Sequence, residues 1–291
     1  SLHFRQQKTN METLHPNYGL TRSKEEGQVE EEFVNPLPRA VLRSNSFILL
    51  DGEWNFAVDN EDKGLQDGWH LGHAYNRKAH WPGSIEEHMS HGGSERWQDR
   101  VIAWYEREFP LPQLGNGDNN TLLQLTFGAC GYETRVWLNG ELLRTIEGED
   151  VHVGEYTSFS YELTPDLLKP VNRLTVRIED TMDADIPRGK QESHVYKRGG
   201  IWYQTYTGAV RSVWLEAVER NRLRSRVGVV SLVEDNLVRF NLTTRIHDPG
   251  DYLLRLKVYN RKEADVEPVA VDEYPLRLEA GEKQQRVVIE V

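Results

Sequence analysis

From Phe47 onward the apolar residues of this 291-residue chain recur at every second position, in short runs broken by turn residues. A period of two places alternate side chains on opposite faces of a strand. In "FILLDGEWNFAVD" Trp54, Phe56 and Val58 share one face. "WYEREFPLP" sets Trp104, Glu106 and Glu108 against Tyr105, Arg107 and Phe109, and "NRLTVRIED" groups Leu174, Val176 and Ile178. Asn139-Gly140 lies between two such runs, the strongest short-range hairpin signal. No window of about 12 residues or more carries the 3.6-residue period of an amphipathic helix. "LTPDLLKPV" predicts a single helical turn, with Thr164 as cap and Pro170 as stop. The pattern therefore predicts an all-β protein.

Residues 1–40 read differently. Glu25, Glu26, Glu30, Glu31 and Glu32 crowd together without apolar periodicity, which predicts an extended or disordered arm. Pro36 and Pro38 punctuate the entry to a first folded domain spanning 41–218. "AVRSVWLEAV" is its last strand, with Val213 and Leu215 facing one side and Trp214 the other. Beyond Glu219, short strands follow one another at roughly 8–12-residue spacing, separated by Glu-Asp-Asn, Asp-Pro-Gly and Asn-Arg turns. This predicts a second sandwich over 219–291, with five or six strands where an immunoglobulin-like sandwich has about seven. The sequence ends at Val291 inside an apolar strand, so the second sandwich is expected to be truncated.

Several function classes fall away. The formal net charge is −11, so no basic stripe for nucleic acid is expected. No run of about 18 apolar residues is present, so no membrane-spanning helix is expected. The first residues carry no apolar stretch of signal-peptide type, and Cys130 is the only cysteine, which excludes an internal disulfide. Together these favour a cytoplasmic location, with Cys130 a small buried hydrophobe. No phosphate loop, zinc motif, dinucleotide fingerprint or nucleophile elbow occurs. His70, His73, His80, His88 and His91, with Glu86 and Glu87 among them, follow no metal-ligand spacing. No two carboxylates are placed by the sequence as a glycosidase pair.

The segment "IEDTMDADIPRGKQESHVYKRGGIWYQTYTG", Ile178–Gly208, is a long excursion between two strands. Connections longer than about 12–15 residues are functional or disordered, and the aromatic content here argues against disorder. Carboxylates, amides and flat aromatic faces suit a sugar site, which needs acceptors for hydroxyls and a platform for ring CH groups. The competing reading is a loop that merely covers one end of the sandwich.

Six phrases, in order, resemble the family 2 glycoside hydrolases, the β-galactosidase, β-glucuronidase and β-mannosidase group. They are "LDGEWNFAVD", "WYEREFPLP", "LTFGACGYETRVWLNGELL", "GEYTSFSYELTPDLLKPVNRLTVRIED", "IPRGKQ" and "YTGAVRSVWLE". The likeness covers Asn35 to Val291. It implies a galactose-binding-like jelly-roll, then an immunoglobulin-like sandwich, with both catalytic glutamates in a following (β/α)₈ barrel that these residues do not include. It further implies that Asp180 binds sugar hydroxyls and, in some members, helps hold a monovalent cation, that the full enzyme uses a monovalent or magnesium cation, and that Arg188, Lys190 and Gln191 are weaker candidates in the same excursion. A cofactor of this chain itself is not expected. The implied partners are a carbohydrate, the chain's own catalytic barrel and a second copy in a homo-oligomer. The "IPRGKQ…YTG…VWLE" set resembles β-galactosidase-like members, with glucuronide and mannoside left open. Two departures stand out: Ala209 and Val210 stand in the family's Thr-Gly-Ile-Trp phrase, which loses a large aromatic, and Gly131 stands where many members have Asp. The rival readings are a stand-alone carbohydrate-binding module without hydrolase activity, and an adhesion or assembly module in which the two sandwiches only mediate contacts.

Overall fold

A computed structural model of the chain describes residues 2–6, 47–90, 97–112, 120–224, 227–259 and 267–291. It divides into two compact units, one of residues 47–114 and 122–216, the other of residues 1–46, 115–121 and 217–291.

The larger unit is a sandwich of two sheets. One runs in the order His152–Val153, Glu133–Leu138, Val171–Thr181, Arg100–Pro110, Gly52–Val58 and Arg77–Trp81, with Glu141–Leu142 paired to Glu133–Leu138. The other runs Phe159–Leu163, Thr121–Phe127, Val213–Glu219 and Phe47–Leu49. The alternation read from the sequence decides which residues meet between the sheets. Trp54 and Phe56, Tyr105 and Phe109, Leu174, Val176 and Ile178, and Val213 and Leu215 all enter one core. Each such side chain stabilises by roughly 1.5–3 kcal/mol when fully buried. Trp214 points away from that core and donates Nε1–H to Glu216 Oε1 at 3.1 Å. Cys130 is buried in the same core, and burial pushes its thiol up to about 12.

The strand Arg100–Pro110 is covered on both faces, which explains adjacent Trp104 and Tyr105. Tyr105 is in the main core, while Ile102, Trp104 and Trp137 form a second cluster with Trp69 and Tyr75. Asn139 and Gly140 have φ of 55° and 93°, the left-handed pair that a tight hairpin requires. Two expectations about helices need correction. Ile85–Met89 is a short helix that the sequence pattern does not announce; Ser84 Oγ caps it by accepting from Glu87 N at 3.2 Å. Pro165–Leu167 is the expected turn, but the Thr164 side chain makes no capping bond.

In the smaller unit, Gly250–Val258 pairs with Ala270–Leu278 on one side and with Leu2–Gln6 on the other. Leu237–Ile246 pairs along its whole length with Gly281–Glu290, and also with Arg222–Leu223 and Gly228–Leu232. Leu242, Ile246, Tyr252, Leu254, Leu256, Leu278, Val287 and Ile289 form its core. Five or six strands were expected. The described residues supply seven, because the first residues of the chain add one. The rest of the predicted arm lies outside the described residues.

Candidate functional site

The strand Val171–Thr181 ends on Asp180 and Thr181, and the chain next enters a sheet at Gly208–Ala209. Residues 182–207 between them double back on themselves. Glu192 N donates to Tyr203 O at 2.7 Å and Tyr203 N to Lys190 O at 3.0 Å. Gly199 and Trp202 exchange backbone bonds of 2.9 and 3.1 Å around a tip where Gly199 and Gly200 have φ of 131° and 60°. That backbone region is where glycine alone is unstrained. The Tyr196 and Trp202 rings stack at 4.2 Å. The excursion is ordered, as its aromatic content implies.

Its base is a polar cluster buried within the larger unit. Asp180 is 4 % exposed. Its Oδ1 accepts from Thr181 N at 2.8 Å and Arg188 Nη1 at 3.0 Å, and its Oδ2 accepts from Thr207 Oγ1 at 2.6 Å. Arg188 also donates to the Thr181 carbonyl and, through Nε, to Glu192 O at 3.3 Å. Its guanidinium lies 5.7 Å from the centre of the Trp97 ring. Asp180 and Arg188 thus pin the start of the excursion, and Thr207 ties its end to the same carboxylate. Burial raises the Asp180 carboxyl above the usual range, against the lowering effect of Arg188 and Thr207. Arg188 Nη2 is buried with no hydrogen-bond partner among the described residues.

Gln191 works beside this pair. Its Nε2 donates to Glu155 Oε2 at 3.1 Å and to the Tyr156 hydroxyl at 3.2 Å, and its Oε1 accepts from Tyr206 N at 2.6 Å. Glu155 is 6 % exposed, and its carboxyl is pushed up to about 7 by burial first and then by the Asp180 charge. A third buried carboxylate completes the base: Glu86 accepts from Trp97 Nε1 at 2.8 Å and from Thr207 N at 3.2 Å. The structure therefore brings Asp180, Arg188 and Gln191 into one neighbourhood. Lys190 is exposed and contributes only its carbonyl.

Sequence reasoning missed Glu86, Glu155 and Thr207. Glu155 stands in the phrase "GEYTSF" beside an aromatic, yet only its burial distinguishes it from the many solvated glutamates. Asp180 Oδ1 takes two donors, one of them a guanidinium, while Oδ2 takes only the Thr207 hydroxyl and keeps acceptor capacity. Among the described residues no group of three or more His, Cys, Asp and Glu side chains is arranged to hold a metal ion. The histidines have structural partners instead. His88 bonds the Tyr105 hydroxyl at 2.9 Å and His80 O at 3.0 Å, His73 stacks on Trp69 at 3.8 Å, and His70 on Trp137 at 5.5 Å. His91 lies outside the described residues.

No protein-family model matches the chain. Curated relatives do. A putative β-glucuronidase of Formosa agariphila is 24 % identical over 159 residues, 54 % of this chain and 17 % of its own length. The human β-glucuronidase is 25 % identical over 236 residues, 72 % of this chain and 34 % of its own length. Among solved structures, the β-glucuronidase of Ruminococcus gnavus in complex with D-glucuronic acid aligns with a TM-score of 0.57 at 21 % identity. That alignment covers 87 % of this chain and 42 % of the solved one, and shows a shared fold. In its sandwich architecture, its ordered motifs and these matches, the chain is similar to β-glucuronidases and, among solved structures, to a β-mannosidase of Dictyoglomus thermophilum. The curated relatives it is similar to carry the name β-glucuronidase, and it spans 17–34 % of their length.

Proposed function

We propose that this chain is the non-catalytic β-sandwich portion of a longer retaining exo-β-glycosidase, and that residues 180–208 supply one wall of its substrate pocket. The observation that carries this reading is the unmet donor at the loop base. A buried donor without an acceptor costs roughly 1–3 kcal/mol. Arg188 Nη2 is such a donor, held in place by Asp180 and sitting in the segment that the family motifs single out. In the whole protein its acceptor is a sugar hydroxyl. Asp180 holds Arg188 in place, and the acceptor capacity left on its Oδ2 serves a sugar hydroxyl as well. Around the base, Tyr156, Tyr203 and Tyr206 are 48 %, 52 % and 42 % exposed and offer ring faces for a sugar to stack on.

The chemistry itself is a double displacement by two glutamates, one nucleophile and one acid/base, supplied by a barrel outside these residues. The names of the relatives favour a terminal β-glucuronide. The motif set favours a β-galactoside, and a β-mannoside completes the comparison. The test is hydrolysis of nitrophenyl β-glucuronide, β-galactoside and β-mannoside by the longer protein and by this chain alone. The reading expects the longer protein to turn over one of the three and this chain none. Turnover that tracks the concentration of the purified chain refutes it.

A further inference from the structure

The sheet that contains Arg100–Pro110 carries, on its outer face, a polar seam that the loop base does not use. Register places Asn55, Glu106, Thr175 and Trp137 opposite one another on four adjacent strands. Their neighbours Phe56, Tyr105, Val176 and Val136 enter the main core, so alternation turns this row the other way. Opposed side chains on one face lie about 4.5–5.5 Å apart at Cβ, which makes the row one continuous surface. Residues 69–75 lie over it. Trp69 meets Trp104 at 5.8 Å, His70 stacks on Trp137 at 5.5 Å, and Leu71 O accepts from Arg173 Nη2 at 2.6 Å.

Between this cover and the sheet, four polar atoms are buried with no hydrogen-bond partner among the described residues. They are Glu106 Oε2, Arg173 Nε, Thr175 Oγ1 and the Tyr75 hydroxyl. Glu106 and Thr175 are 8 % and 0 % exposed. Leaving a buried polar group unmet is costly, and native proteins seldom do so. Glu106 Oε2 and Arg173 Nε are 3.8 Å apart. That is too long for a direct hydrogen bond and short enough for both to reach one bridging atom. Tyr75 feels the same two charges: burial first, then Glu106, raises its phenol above the ordinary 10, while Arg173 opposes. It therefore keeps its proton and can donate.

The four groups together narrow the occupant. Arg173 Nε and the Tyr75 hydroxyl donate, the Glu106 carboxylate accepts, and Thr175 Oγ1 does either. A cation would face the Arg173 guanidinium, and an anion the Glu106 carboxylate. Each of the four atoms is closed off from solvent, which leaves no opening for a sugar ring. A small neutral molecule with two donors and two acceptors meets all four groups, and water has that valence.

We propose that this seam is a built-in water site. At least one water accepts from Arg173 Nε and the Tyr75 hydroxyl and donates to Glu106 Oε2 and Thr175 Oγ1. Because Tyr75 belongs to the cover and the other three to the sheet, the water fastens residues 69–75 over Trp104 and Trp137.

The experiment has two arms, both on the 291-residue chain. The first is a crystal structure at a resolution that shows ordered water. A water within about 3.2 Å of at least three of the four atoms is expected. The second is thermal unfolding of Tyr75→Phe, Thr175→Val and the double variant. Each single substitution removes one ligand of the water and should lower Tm by about 2–4 °C. The double variant should fall well short of the sum, because both losses act on one shared water. A seam without ordered water, a direct Arg173–Glu106 bond in its place, unchanged Tm in both single variants, or fully additive losses would overturn the proposal.

Discussion

Glu155→Gln is the most informative single substitution in the loop base. Glu155 is buried, faces Asp180 and receives Gln191 Nε2. Its carboxyl is pushed from the ordinary 4.5 to about 7 by burial first and then by the Asp180 charge, with Gln191, Tyr156 and Arg188 opposing. A carboxyl raised in the folded state binds its proton more tightly there than in the unfolded chain. Its contribution is therefore full below pH 4.5 and is lost as the pH rises through about 7. At about 1.4 kcal/mol per pH unit, the wild-type chain loses up to about 3 kcal/mol over that window through this group alone. Glutamine is near-isosteric, still accepts from Gln191, and does not ionise. The variant should match the wild type near pH 5 and exceed it by about 1–3 kcal/mol at pH 8. Denaturant unfolding followed by tryptophan fluorescence is the assay. All eight tryptophans fall in the larger unit, so the signal reports that unit. Other carboxyls with shifted values, such as Asp51 and Glu106, titrate in both proteins and cancel in the difference. A stability difference that stays flat from pH 5 to 8 refutes the reasoning.

Three further outcomes follow from the same geometry. Arg188→Met leaves Asp180 buried without its cation and should cost roughly 3–5 kcal/mol by urea unfolding, with Asp180→Asn in the same chain recovering part of the loss. Gly131→Ala would place a Cβ 2.4 Å from Gly154 O and 3.0 Å from Glu155 Cα, both backbone atoms, and should destabilise by about 1–3 kcal/mol or more in the same assay. Cys130 should resist maleimide in the native chain and react at once on denaturation, because its thiol is buried and held at about 12.

The sandwich architecture was legible because its signal is local. Leu174, Val176 and Ile178 alternate in sequence and meet in one core, and Asn139-Gly140 encodes its own hairpin. Gly131 illustrates the opposite case. The sequence shows only a departure from the family's usual Asp, whereas the close approach of Gly154 explains why no side chain fits there. The pairing of Leu2–Gln6 with Gly250–Val258 joins the two ends of the sequence, and no local period encodes such a contact. The loop base divides the same way. Asp180, Arg188 and Gln191 lie within one phrase and could be named together. Glu86 and Glu155 come from distant elements, and their role rests on burial, which composition does not reveal. The third donor to Asp180 likewise comes from Thr207, at the far end of the excursion.

The central claim is that this excursion shapes the pocket of a longer glycosidase. Steady-state kinetics of Asp180→Ala in that longer protein test it most directly, with circular dichroism to verify the fold. The account predicts kcat/KM lower by about 10²-fold or more with the fold retained, because misplacing a positioned group by about 1 Å has that effect. Wild-type kcat/KM in the folded variant would remove Asp180 and the loop it anchors from the site.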